Sequence, residues 1–165
     1  MAIKGKVWKF GDDMSTDLMM PISARYGRVP EDQQKYSCMS AIRPEFSHAV
    51  CPGDIVIMGR HCGSGSSRPA PRLFVELQVG CIIAESFSPL FFRNAIAIGF
   101  PVIEVPGITK EFQEGDEAEV DLDKTEVRNL TTGKVIHFKP YPEMIKKIFE
   151  LGGFKALLKQ EFSQI

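Results

Sequence analysis

The chain has 165 residues, 44% apolar and 25% charged, with a formal net charge of −1. That length supports one folded unit with a core large enough to need neither disulfides nor metals. The near-neutral balance gives no electrostatic footprint for nucleic acid, and no run approaches the roughly 20 apolar residues of a membrane span.

In chain order, Ile3 to Phe10 predicts a first strand, with Ile3, Val7 and Trp8 as its apolar positions, and Gly11-Asp12-Asp13 a turn. Thr16 to Pro21 reads as a short apolar segment stopped by proline. Residues 22–34 lack periodicity and predict a loop long enough to be functional. A short helix is expected over Gln34 to Ile42, ending before Pro44. Asp54 to Met58 has a buried-strand pattern. A helix follows Pro69-Ala70-Pro71, with Leu73, Phe74 and Leu77 on one face and Gly80 as its stop. Cys81 to Ala84 predicts a second buried strand, and Ser88-Pro89 starts the next helix, which Gly99 closes. Pro101 to Glu104 is a third strand. Strand, helix, strand, helix, strand implies parallel pairing through crossovers. Ala118, Val120 and Leu122 alternate with acidic residues, and 125–130 with 134–139 flank Thr131-Thr132-Gly133 as a β-hairpin. Two amphipathic helices, about 143–163, end the chain. The expectation is one α/β domain over 1–165: a mixed sheet with a parallel βαβ core and an antiparallel hairpin addition.

The opening Met1-Ala2-Ile3-Lys4-Gly5-Lys6 has no apolar core followed by a small-residue cleavage site, so a cytoplasmic protein is expected. Cys38, Cys51, Cys62 and Cys81 form no C-x-x-C pair, which disfavours a metal or iron–sulfur site built by this chain alone. Cys38, Cys51 and Cys81 are expected as small buried hydrophobes in a reducing compartment.

The segment that carries chemistry is Gly63-Ser64-Gly65-Ser66-Ser67-Arg68, between a buried strand and a predicted helix start. Glycines let backbone approach a ligand, N–H groups at a helix start attract anions, and arginine grips a carboxylate with two hydrogen bonds. From these residues alone the loop is an anion site. It lacks the Gly-Lys-Ser/Thr of a Walker loop and the spacing of a dinucleotide fingerprint.

Three further runs stand in order around it: Lys9-Phe10-Gly11-Asp12-Asp13 with Ser15-Thr16-Asp17, then Ala84-Glu85-Ser86-Phe87, then Phe91-Phe92-Arg93-Asn94-Ala95-Ile96 with Gly99 and Pro101. Together with the glycine loop they resemble the 3-isopropylmalate dehydratase small-subunit family, the swivel domain of the aconitase superfamily. The resemblance covers residues 4–104 by motif. It implies a swivelling β/β/α domain and a large-subunit partner that carries a [4Fe–4S] cluster on its own cysteines, with none bound by this chain. It implies removal of water from a hydroxy acid, and in isomerising members its re-addition at the neighbouring carbon, with the cluster's open iron as Lewis acid. By motif, Ser66 is the base that takes the proton beside a carboxylate. Asp17 is the acidic residue that pairs with a histidine across the interface. Ser64, Gly65, Ser67 and Arg68 bind substrate. Arg25 or Arg28, in the 22–34 loop, stands where relatives place a substrate-sensing arginine.

The departures fall on the substrate side. The family pattern continues Ser-Ser-Arg-Glu-His-Ala-Pro; here Pro69-Ala70-Pro71 follows Arg68 and the Glu-His pair is absent. Asn-Phe-Gly-Cys before the serines becomes His61-Cys62-Gly63-Ser64. The substrate expected is 3-isopropylmalate in leucine biosynthesis, with homoaconitate, citramalate and 2,3-dimethylmalate as alternatives for the same chemistry. A non-catalytic anion-binding or regulatory module is the alternative of another class.

Overall fold

The computed structural model describes residues 1–25, 29–65 and 67–163, and of Arg25 the backbone alone. The elements run β1 (Ala2–Lys9), α1 (Thr16–Met19), α2 (Ile22–Arg25), a 3-10 helix (Glu31–Ser37), α3 (Phe46–Ala49), β2 (Ile55–Met58), α4 (Ala70–Glu76), β3 (Cys81–Ala84), α5 (Pro89–Ala97), β4 (Val102–Glu104), a 3-10 turn (Ile108–Lys110), β5 (Glu117–Asp121), β6 (Glu126–Asn129), β7 (Val135–His137), α6 (Glu143–Leu151) and α7 (Phe154–Phe162).

The seven strands form one sheet in the order β4-β3-β2-β1-β5-β6-β7. β1 divides it. Its second half, Val7–Lys9, pairs parallel with β2, and its first half, Ala2–Lys6, pairs antiparallel with β5. Asp54 holds the changeover: its buried carboxylate accepts from Lys6 N at 3.0 Å, Trp8 Nε1 at 2.9 Å and Cys51 N at 2.9 Å. β2, β3 and β4 continue in parallel, and β5, β6 and β7 form the antiparallel addition.

The unbroken apolar runs of β2 and β3 follow from burial on both faces. Val56, Met58, Ile82 and Ala84 pack with Phe46, Leu73, Phe74 and Phe91, whereas Ile55, Ile57, Cys81 and Ile83 pack with Ile103, Phe112, Val120, Val127 and Phe149. Each fully buried Leu, Ile or Phe contributes about 1.5–3 kcal/mol. β5 faces water on one side and alternates, Ala118 and Val120 inward. The sheet's outer parallel strand is covered from afar: the Tyr141 hydroxyl, beyond β7, donates to the Val102 carbonyl of β4. That contact blunts an exposed edge.

The strands and the longer helices lie where the pattern predicts. Other segments differ: α2 (Ile22–Arg25) opens the stretch expected as a loop over 22–34, and α3 (Phe46–Ala49) was not expected. The expected helix over 34–42 is a 3-10 helix over Glu31–Ser37 that buries none of its residues, so no apolar face sustains an α-helix there. α4 ends at Glu76, before Gly80, and Gln78 takes the left-handed turn with φ 59°. Cys51 is exposed in the turn before β2, not buried, whereas Cys38, Cys62 and Cys81 are buried. Among the described residues, no helix is long and apolar enough to cross a membrane.

Candidate functional site

The four parallel strands end at Lys9, Met58, Ala84 and Glu104, so the segments that follow them emerge from one edge. That carboxyl edge is where α/β sheets hold ligands. Here the segments are themselves bonded side by side. Residues 11–16 meet 59–64 through Gly59 N to Gly11 O (2.9 Å), Asp13 N to Arg60 O (2.8 Å), Gly63 N to Met14 O (2.7 Å) and Thr16 N to Ser64 O (2.8 Å). Cys62 N donates to Ser86 O at 3.0 Å, and Ser88 N to Cys62 O at 2.8 Å. Beyond them Glu85 accepts from the Thr109 hydroxyl and from Gly107 N at 2.9 Å, bonds that hold its carboxyl below the usual range. Backbone hydrogen bonds thus carry the parallel ladder past the strand ends into the site.

The glycine loop lies in that seam. Gly63 has φ 78°, and a Cβ there would sit 2.2 Å from Phe91 Cγ, so glycine alone lets the loop rest on α5. Gly65 lies against the hydroxyl of Thr16. Ser64 is half-buried, and Gly65 and Ser67 are exposed. Arg68 is buried, its side chain 8% exposed, with Nε 2.9 Å from Oδ1 of Asp17 and Nη1 donating to Met20 O at 2.6 Å. Asp17 sits in the first turn of α1, which Ser15 caps by accepting from Leu18 N at 3.3 Å. Its side chain is 56% exposed. The fold therefore joins Asp17 to Arg68 and lays Ser64 and Gly65 beside them. Ser66 and Arg28 lie outside the described residues, as does the side chain of Arg25, whose backbone closes α2. The helix start contributes less than its sequence suggests. Pro69 precedes α4 and Pro71 is its second residue, so two N–H groups that would turn toward an anion are absent.

Two contacts escaped the sequence reading. His61 pairs through Nδ1 with Oδ1 of Asp13 at 2.8 Å, and both residues have left-handed backbone, φ 57° and 55°. Arg72 of α4 bonds Gln34 and, at 3.1 Å, Glu31, tying the end of the 22–34 loop and its 3-10 helix to the helix that the glycine loop enters. Both are long-range pairs for which a single chain gives no spacing signal. Concavity is a poor guide as well: grooves of about 950 and 760 Å³ are lined by residues from 87 onward and by the C-terminal helices, not by the seam.

Cys38, Cys62 and Cys81 are buried among hydrophobes, and burial pushes each thiol up. Among the described residues, no group of three or more His, Cys, Asp or Glu side chains could hold a metal ion.

A mixed seven-stranded sheet with a serine–glycine loop and a buried arginine on its parallel edge defines an α/β domain with a candidate anion site. Comparison with known proteins makes the class particular. The chain is 42% identical over 163 residues to the isopropylmalate/citramalate isomerase small subunit of Methanocaldococcus jannaschii, covering 98% of this chain and 96% of that one. It is 42% identical over 166 residues to the 3-isopropylmalate dehydratase small subunit of Thermodesulfovibrio yellowstonii, covering 99% and 97%. A crystal structure of 3-isopropylmalate dehydratase from Methanocaldococcus jannaschii superposes with a TM-score of 0.89 at 34% identity, over 99% of this chain and 98% of that one. No protein-family model matches the chain. The chain belongs to the 3-isopropylmalate dehydratase small-subunit family and is a hydro-lyase component that works with a large subunit.

Proposed function

We propose that this chain is the small subunit of a cytoplasmic, heteromeric iron–sulfur hydro-lyase that dehydrates and rehydrates 3-isopropylmalate in leucine biosynthesis. The observation that carries the reading is end-to-end identity of about two residues in five with small subunits of that name. Citramalate is the second substrate, because one relative's name includes it. The whole chain, 1–165, is one swivelling domain, with the helices at about 143–163 part of it. The cysteines here do not fit a [4Fe–4S] cluster: three are buried among hydrophobes with their thiols pushed up, Cys51 is exposed on a turn, and among the described residues no three gather. The cluster is therefore assigned to the large subunit.

This chain's own residues bind, orient and move a proton. Ser66 takes the proton next to a substrate carboxylate. Ser64, Gly65 and Ser67 line the carboxylate's seat, and Arg25 or Arg28 reads the substituent at the malate carbon. Arg68 pairs with Asp17 while the cleft is open. A substrate carboxylate then exchanges for Asp17 on the guanidinium, which frees Asp17 to meet a histidine of the large subunit. Because Asp17 is more than half exposed, that exchange leaves no charge stranded in the core.

Co-expression with the large subunit, anaerobic cluster reconstitution and alkene absorbance over a panel of substituted malates test this. The expected result is turnover of 3-isopropylmalate, lost by a factor of about 10³ or more in Ser66→Ala while the complex still assembles. A well-assembled complex with full turnover in Ser66→Ala sinks the assignment of the base.

A further inference from the structure

The seam between 13–17 and 60–64, with Arg68 beyond it, is flanked at each end by an acid–base pair. At the inner end Asp17 holds Arg68, which is buried. At the outer end Asp13 holds His61, and these side chains are 75% and 69% exposed. An exposed histidine ordinarily samples several rotamers. Here Asp13 holds its Nδ1 at 2.8 Å, and the main chain on both sides is bonded: Asp13 and His61 take the left-handed conformation that Asp and His adopt more readily than most residues, and Asp13 N donates to Arg60 O at 2.8 Å. His61 N is tied to the Ser86 hydroxyl at 2.9 Å, and Arg60 N to Asp12 Oδ1 at 2.8 Å. The main chain of His61 also leads into the glycine loop, its carbonyl accepting from Ser64 N at 3.2 Å.

We propose that His61 is a substrate-contact residue of this dehydratase and Asp13 its positioning residue; this deepens the functional reading above and rests on it. A carboxylate only accepts, so Nδ1 carries the proton toward Asp13 and Nε2 is the outward nitrogen. A substituted malate carries two carboxylates. The guanidinium of Arg68 lies buried at the inner end, and the imidazole of His61 is presented at the outer end of the same seam. With Nε2 protonated, the ring bridges Asp13 and the substrate's second carboxylate by a charge-assisted hydrogen bond on each side.

The test is steady-state kinetics of the reconstituted two-subunit enzyme with His61→Ala and Asp13→Asn. It is paired with the His61 ring resonance of the full-length small subunit, assigned by its loss in His61→Ala. A lost charge-assisted bond predicts KM raised roughly tenfold or more in His61→Ala, with kcat within about threefold. Asp13→Asn shifts KM in the same direction by less, because the amide oxygen still orients the ring. Malate should move the His61 resonance in the native small subunit, and an equal concentration of acetate should move it less. Unchanged KM in both variants, with thermal melting and assembly intact, overturns the proposal. If the native enzyme turns over no substituted malate, the reading of the reaction fails. The malate titration then decides this proposal alone: a selective shift supports the carboxylate contact, and no shift at tens of millimolar overturns it.

Discussion

The two halves of the sheet share β1 but close their connections differently. On the parallel side, the segments after β1, β2 and β3 are bonded to one another by main-chain groups, from Gly59 N to Gly11 O through Ser88 N to Cys62 O. On the antiparallel side, the β6–β7 hairpin closes on itself, with Gly133 N donating to Asn129 O at 2.7 Å and Asn129 Oδ1 accepting from Thr131 N and Thr132 N. A hairpin satisfies its backbone locally, whereas parallel strands need distant connections whose ends meet at one edge. The candidate site residues that the structure describes, Asp17, Ser64, Gly65 and Arg68, gather at that edge. The half that is harder to close is the half that brings distant residues together.

Paired glycine substitutions break this comparison most directly. Gly63→Ala drives a Cβ into Phe91 at a backbone angle that disfavours it. The expected cost is about 3–5 kcal/mol, or roughly 10 °C in Tm, together with loss of turnover in the assembled enzyme. Thermal melting and the kinetic assay read both. A stable, active variant would show that the seam is not needed.

A change of pH acts on both halves at once. Burial pushes up the thiols of Cys38, Cys62 and Cys81, and pushes up the phenol of Tyr141. These acids hold their protons more tightly folded than unfolded. Their contribution to stability is therefore intact below the unfolded thiol value of about 8.5 and declines as pH rises above it, more steeply beyond the phenol value of about 10. Urea melts at stepped pH should show this fall, and Tyr141→Phe should remove the steeper part. Below pH 8 that variant loses about 1 kcal/mol, from the hydrogen bond to Val102.

The smallest effect belongs to Gly133→Ala. Its φ is 80°, yet nothing lies within 4 Å of the added Cβ. About 1–2 kcal/mol of stability should be lost, with kcat and KM unchanged. A kinetic effect there would mean that the antiparallel half participates in the chemistry.

Much of this was legible in the sequence because it depends on local pattern. The apolar runs at 54–58 and 81–84, the Ser88-Pro89 start, the hairpin around Gly133 and the C-terminal helices follow from periodicity and turn chemistry. The ordered motifs gave the family. Less legible were the short segments: the 3-10 helix over 31–37, which buries none of its residues, and α3 at Phe46–Ala49, which buries Phe46 and Ser47 in a single turn. Propensity over four to seven residues is too weak to decide such elements. The site was legible as residue types, a glycine loop with Arg68 and a distant Asp17, but not as partners.

The sequence by itself thus determined the strand order, the longer helices and the family, and named the candidate site residues. The tertiary structure decided that Arg68 is buried against Asp17 and Met20, that Asp13 faces His61, and that Cys51 is exposed. The physical reason is common to the two pairs. Periodicity reports which face of an element is apolar, whereas the partner of a polar group depends on main-chain bonds between loops distant in sequence, and backbone N–H and C=O groups are the same at every residue but proline.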